Sequence, residues 1–141
     1  MIKKGLSIFC DGGARGNPGP AAIGFVIFQN GKIVHKFFKR IGEATNNVAE
    51  YRAVIAALTW IINNPGIINY QLSIINFYLD SQLIVNQLIG NFKIKNSNLQ
   101  KLTVRVKNLE KRIGKKINYS YIPRRQNKIA DALVNQALNG L

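Results

Sequence analysis

The sequence predicts an α/β domain: a five-stranded mixed sheet, three strands antiparallel and the rest joined by parallel crossovers, with helices on both faces. Three observations carry that prediction. Up to Ile41 the chain runs in short apolar or alternating stretches, cut by glycine, proline and an Asn-Gly pair, as strands and their turns do. From Asn46 the apolar spacing changes to steps of three and four. Beyond Gly66 strand-like and helix-like stretches take turns, the order that builds strand–helix–strand crossovers.

Each element follows from its residues. Leu6, Ile8 and Cys10 alternate with Ser7, Phe9 and Asp11, a strand ending at Asp11. Gly12 to Pro20 holds four glycines and two prolines, a loop in which regular structure stops. Ala21 to Phe28 is apolar at both parities and reads as a strand covered on both faces. Asn30-Gly31 marks a tight hairpin, with Lys32 to Ile41 as the returning strand. Val48, Tyr51, Ile55, Leu58 and Ile62 make one face of a helix closed by Asn63-Asn64-Pro65-Gly66. Gln71 to Leu79 is a fourth strand leading to Asp80, and Leu83, Ile84 and Leu88 mark a short helix ending by Gly90. Leu99, Leu102, Val106, Leu109 and Ile113 give another helix, Ile117 to Ile122 a last strand, and Asn127 to Leu138 a terminal helix. No repeat, linker or low-complexity tract interrupts the chain, so 1–141 reads as a single domain.

Composition narrows the function. Hydrophobic residues make up 47% and charged residues 18%, enough apolar surface for a core and too little charge for disorder. Twenty Lys and Arg against six Asp and Glu leave a formal charge of +14. Such an excess points to a polyanion, nucleic acid first and a membrane surface second. One cysteine closes no internal disulfide and builds no cysteine-rich zinc site, and one histidine, His35, excludes histidine-rich metal sites. His35 itself reads as a surface strand residue. The longest apolar runs are too short to span a bilayer, and Met1-Ile2-Lys3-Lys4-Gly5 leads into polar glycines rather than a signal-peptide core. A reducing cytoplasm, no membrane partner and a monomer are the expectations.

With only six acids, each needs a reason. Asp11 and Asp80 each end a strand. If those strands are parallel neighbours, both carboxylates emerge at the carboxyl edge, where α/β sheets place ligands. Glu50 falls about 200° round the helix from Val48, in line with Val54, Ala57 and Ile61, on the border of the buried arc. Asp131 stands in the same relation to Ile129, beside Val134 and Leu138. Plainer readings exist for each: Asp80 as a helix cap, Glu50 as a charge in a first helical turn, Asp131 paired with Lys128 or Arg124, Asp11 ordering its glycine loop. Four of six acids at matching edge positions outweigh them together. Clustered carboxylates repel, and divalent cations relieve the repulsion; oxygen-only ligands suit Mg²⁺ or Mn²⁺. Glu43 and Glu110 read as solvated surface acids.

The segment Ile8-Phe9-Cys10-Asp11-Gly12-Gly13-Ala14-Arg15-Gly16-Asn17-Pro18-Gly19-Pro20 resembles the opening motif of the type 1 ribonuclease H family. Thr45-Asn46-Asn47-Val48-Ala49-Glu50 is similar to its second motif, Asp80-Ser81-Gln82 to its third, and Asn127-Lys128-Ile129-Ala130-Asp131 to its fourth. The order and spacing agree from about residue 5 to residue 138. The resemblance implies the ribonuclease H-like fold, and an endoribonuclease that hydrolyses the RNA strand of RNA/DNA hybrids. It makes Asp11, Glu50, Asp80 and Asp131 the catalytic metal ligands for two Mg²⁺ ions, with Mn²⁺ as a substitute and Asp11 shared. Products would carry 5′-phosphate and 3′-hydroxyl ends. Gly12 and Gly13 would let the RNA backbone approach and present main-chain groups to its 2′-hydroxyls. Asn46, Asn47 and Gln82 would reach into the minor groove, and Asn17 and Thr45 would hold a phosphate of the DNA strand, with turn formation and helix capping as their local alternatives.

Two departures stand out against the family pattern. The loop Tyr121-Ile122-Pro123-Arg124-Arg125-Gln126 lacks the histidine many members carry there. Arg124 resembles the arginine of compact members; always charged, it would steady phosphate rather than act as a base. Gly90-Asn91-Phe92-Lys93-Ile94-Lys95 leads almost at once into the next helix, leaving no room for a basic protrusion. The charge is spread instead over Lys93, Lys95, Lys101, Arg105, Lys107, Lys111, Arg112, Lys115 and Lys116, with only Glu110 to balance it. Part of that face is expected to meet phosphate. Two further readings share the fold: a binding module that has lost activity, and a nuclease of four-way DNA junctions.

Overall fold

The computed structural model describes residues 5–68 and 74–140. The reading of Met1 to Lys4 and the first part of the expected fourth strand, Gln71 to Ser73, lie outside the described residues. Strands β1 (Leu6–Ala14), β2 (Gly19–Gln29) and β3 (Lys32–Ala44) form an antiparallel meander. Strands β4 (Ile74–Leu79) and β5 (Lys116–Tyr121) add to it in parallel, giving the order β3-β2-β1-β4-β5. Among the described residues there are four α-helices: α1 (Asn46–Asn63), α2 (Gln82–Leu88), α3 (Ser97–Ile113) and α4 (Lys128–Leu138). No described helix is long and apolar enough to cross a membrane.

Local chemistry explains most boundaries. Asn30 (φ 51°) and Gly31 (φ 83°) both take the positive φ that the two-residue hairpin requires. Thr45, Ser81 and Asn96 each accept the backbone N–H three residues on, starting α1, α2 and α3. Gly114, at φ 73°, ends α3 in the left-handed conformation.

One boundary differs from expectation. β1 continues past Asp11 through Gly12, Gly13 and Ala14, which pair with Ile23, Ala22 and Ala21 of β2. An unbroken antiparallel ladder satisfies those backbone groups better than a loop would, and glycine accepts the extended geometry. The loop shrinks to the residues between Ala14 and Gly19.

The sheet is covered unequally. On one face Ile8, Cys10, Ile23, Phe25, Ile27, Ile75, Phe77 and Leu79 meet Tyr51, Val54, Leu58 and Ile61 of α1 in the main core. α3 packs on α1 through Leu99 and Val106. Burial of each such side chain contributes roughly 1.5–3 kcal/mol. On the other face α4 alone lies over the meander, where Val134, Ala137 and Leu138 pack on Ala22. β2 is sandwiched between the two layers, which is why it is apolar at both parities.

His35 is not the surface residue expected. It is half-buried, its ring stacked on Trp60 at 4.5 Å, because the last turns of α1 reach over the edge strand β3.

α4 reaches the sheet only because Gly24 has no side chain. A Cβ there would stand 2.8 Å from Leu133 Cβ and 2.9 Å from the Ala130 carbonyl oxygen. Gly24→Ala is expected to lower unfolding free energy by about 1–3 kcal/mol, read as a lower urea midpoint; a wild-type midpoint contradicts this packing.

Candidate active site

β1 and β4 pair only from Leu6 to Phe9 against Ile75 to Tyr78. Asp11, two residues past the end of that ladder, and Asp80, two residues past Tyr78, therefore emerge at the same carboxyl edge. Alternation along β1 sends Cys10 and Gly12 towards α1, and Asp11 and Gly13 towards α4. α1 starts against this edge and contributes Glu50; α4 contributes Asp131. All four carboxylates line one cleft of about 360 Å³, together with Gly12, Gly13, Asn46 and Arg124.

The carboxylates feel one another. Burial first, then the charges of Asp80, Asp131 and Glu50, push the Asp11 carboxyl up from 3.8 to about 8, against one hydrogen bond from its neighbour Gly12 N–H. Glu50 is pushed up from 4.5 to about 7 by burial and by Asp80, while the Ser81 hydroxyl and the Arg124 guanidinium pull it back. The plainer readings of these acids fall away. Ser81, not Asp80, caps α2; Glu50 lies beyond the first turn of α1; among the described residues Asp131 makes no ion pair and accepts only from Asn135 Nδ2 at 3.4 Å.

Among the described residues, no group of three His, Cys, Asp or Glu side chains stands close enough to hold a metal ion unaided. Mutual repulsion opposes a closer approach. The donor set nonetheless fits a hard cation: carboxylate oxygens only, in a polar cleft with excess negative charge.

The expected substrate residues divide. Gly13 lines the cleft, and a Cβ there would make ordinary contact with Val134 Cγ1 at 3.8 Å and Asn46 Oδ1 at 3.9 Å. Gly12 also lines the cleft, and a Cβ there would lie 2.3 Å from the Ala49 carbonyl carbon and oxygen, so its lack of a side chain admits α1, and with it Glu50. Asn46 Oδ1 accepts Ala14 N–H and Asn17 Oδ1 accepts Asn46 N–H, each at 2.8 Å, which knits the β1–β2 turn to the start of α1. Thr45 caps that helix. Arg124, in a single 3-10 turn, reaches the cleft. Asn47 and Gln82 stand outside its lining.

Similarity to known proteins fits this geometry. Residues 9–137 match the family model described as "Reverse transcriptase-like". The bifunctional protein Rv2228c of Mycobacterium tuberculosis is 38% identical over 134 residues, 94% of this chain and 35% of that one. Ribonuclease HI of Halobacterium salinarum is 39% identical over 132 residues, 93% of this chain and 63% of that one. The chain thus spans about a third to two thirds of the length of these curated relatives. The crystal structure of LC11-RNase H1 in complex with an RNA/DNA hybrid superposes with a TM-score of 0.87 at 38% identity, covering 96% of this chain and 97% of that one. The chain belongs to the ribonuclease H family.

Within this ribonuclease H framework, three residues matter more than their sequence suggested. Asn127, 1% exposed, donates through Nδ2 to the Cys10 carbonyl at 2.8 Å and to Asp80 Oδ2 at 3.1 Å, tying the start of α4 to β1 and to a carboxylate. It sits in a motif already noticed, but a lone asparagine before a helix reads as a cap, and it makes no side-chain cap bond here. Ser81 couples α2 to Glu50. Glu110 is not a solvated acid: it accepts from the buried Tyr119 hydroxyl and pairs with Lys107 at 3.5 Å. Glu43 is exposed, as expected.

The folded state holds the Asp11 proton up to about pH 8, against an ordinary value of 3.8. Between those values it binds more protons than the unfolded chain, so stability falls as pH rises across the window. In buffer stripped of divalent cations, Asp11→Asn escapes that fall. Its thermal midpoint is expected to gain on wild type by about 3–8 °C between pH 4 and pH 9; equal gaps at both pH values contradict the shift.

Proposed function

We propose that this chain is an endoribonuclease that hydrolyses the RNA strand of RNA/DNA hybrids, leaving 5′-phosphate and 3′-hydroxyl ends. The observation that carries the reading is the convergence of Asp11, Glu50, Asp80 and Asp131 on one cleft at the carboxyl edge of a ribonuclease H fold. These four would hold divalent cations, Mg²⁺ with Mn²⁺ as a substitute, two with substrate in place. Bound cations would supply charge neutralisation at the scissile phosphate and activation of the attacking water.

The chain's own residues set the conditions for that chemistry. Asp11 and Glu50, held near neutral-range proton affinities by burial and repulsion, favour any cation that relieves them. Asn127 restrains the Asp80 carboxylate so that its free oxygen keeps one direction. Arg124 opposes the negative cleft with a positive charge and would contact a phosphate oxygen. Gly13 keeps a side chain off the cleft lining beside Val134 and Asn46 and would let a sugar-phosphate backbone approach. The asparagine-linked turn Asn17–Asn46, with Thr45 beside it, offers polar groups to the second strand. The formal charge of +14 suits a duplex polyanion. A buried free thiol at Cys10 suits a reducing cytoplasm, and we propose a monomer acting there.

Wild-type protein with end-labelled hybrid and Mg²⁺ is expected to cut the RNA strand. Asp11→Asn or Asp80→Asn is expected to slow cleavage by on the order of 10³-fold with hybrid binding kept or tightened, and Arg124→Ala by about tenfold. Hybrid bound by the wild type and left uncut overturns the reading.

A further inference from the structure

A second cleft, of about 350 Å³, lies between β3, α1 and α3 and shares no lining residue with the first. Three cations from three elements converge on it, Lys39, Arg52 and Arg105, and no lining side chain is acidic. Arg52 follows Glu50 by two residues, about 200° further round α1. The helix therefore offers a carboxylate to one cleft and a guanidinium to the other. Arg52 is steadied by one hydrogen bond, Nη1 to the Ile41 carbonyl at 3.4 Å, which leaves most of its donors for a ligand. Among the described residues none of the three cations forms an ion pair.

Two rings stand in the wall of this cleft among the aliphatic side chains of Ile23, Ile41 and Ile55. Trp60 and Phe37 both line it, and each stacks on a ring outside the lining: Trp60 on His35 at 4.5 Å and Phe37 on Phe25 at 5.2 Å. Rings held this way lose little freedom when something stacks on them. A solvated surface would mix acids among the cations; here three cations share the cleft with two rings and no acid. Cations neutralise phosphates and rings accept bases, the two contacts by which proteins hold unpaired nucleic acid. A duplex keeps its bases stacked inward and offers Trp60 no base face.

We propose that this cleft is a second nucleic-acid site, seating an unpaired DNA or RNA strand with a base against Trp60 and phosphates on Lys39, Arg52 and Arg105. The inference goes beyond hydrolysis of hybrids and does not depend on it.

Trp60 is the chain's single tryptophan, so its emission reports on this cleft. Titration of the whole chain with a thymidine dodecamer, without divalent cations, is expected to quench Trp60 emission saturably, and to do so with unchanged affinity in Asp11→Asn. Inorganic polyphosphate of matched charge, which has no bases, is expected to compete at least about tenfold more weakly. The double variant Lys39→Ala, Arg52→Ala is expected to bind about tenfold more weakly, with a salt slope smaller by about 1.4 for two lost phosphate contacts. Arg52→Lys, which keeps the charge, is expected to retain most of the affinity. Emission unmoved by the dodecamer, whether or not it binds elsewhere, overturns the proposal, as does equal competition by polyphosphate. Hybrid cleavage is scored in a separate reaction: quenching without cleavage supports this site while sinking the hydrolytic reading, and cleavage without quenching does the reverse.

Discussion

Like charges crowded into a small cleft repel, and at the carboxyl edge of this sheet four carboxylates are held together against that repulsion. The force that holds them is distributed elsewhere in the fold. Parallel pairing of β1 with β4 sets Asp11 and Asp80 side by side, and the apolar core under α1 anchors the helix that carries Glu50. Tyr51, Phe25 and Phe77 are fully buried there, and a handful of such side chains outweighs the cost of one strained charge cluster. Asn127 closes the arrangement by fastening α4 to the main chain of β1 and to Asp80. The raised proton affinities of Asp11 and Glu50 are the residue of a conflict the fold does not relieve by itself.

α1 links the two clefts. Its first turn is knitted to the β1–β2 turn through Asn46 and Asn17, its Glu50 faces the acidic edge, and its Arg52 and Trp60 face the basic cleft. A single helix, seated by the absence of a side chain at Gly12, thereby sets the geometry of both. The large cationic excess is then not one undifferentiated surface. Arg124 belongs to the acidic cleft, Lys107 is tied to Glu110, and Lys39, Arg52 and Arg105 gather where no acid answers them.

Periodicity and turn residues together predicted the element order, the hairpin at Asn30-Gly31 and the span of α1, because each is a local property of spacing or turn chemistry. What they could not show depended on partners far along the chain. The glycines after Asp11 read as a loop, yet β2 offers them a ladder, and pairing overrides local preference. Gly12 read as room for substrate, and that its missing side chain also seats α1 against Ala49 was not legible because Ala49 lies far along the chain. His35 looked exposed because nothing in β3 announces that Trp60 covers it. Asn127 acts through partners 117 and 47 residues away, and Glu110 through a tyrosine on the next strand. The four acids were recognisable because they were so few and fell at strand ends and helix borders.

Burial and shared charge at Asp11 hold the key to the cleft, and a carbon-detected NMR titration of that side-chain carboxyl reads both. Without divalent cations the midpoint should lie near the value of about 8 that the cleft imposes, and saturating Mg²⁺ should draw it down towards the ordinary range. A midpoint close to 3.8 in cation-free buffer, unmoved by Mg²⁺, would mean that the carboxylates do not share a cleft in solution.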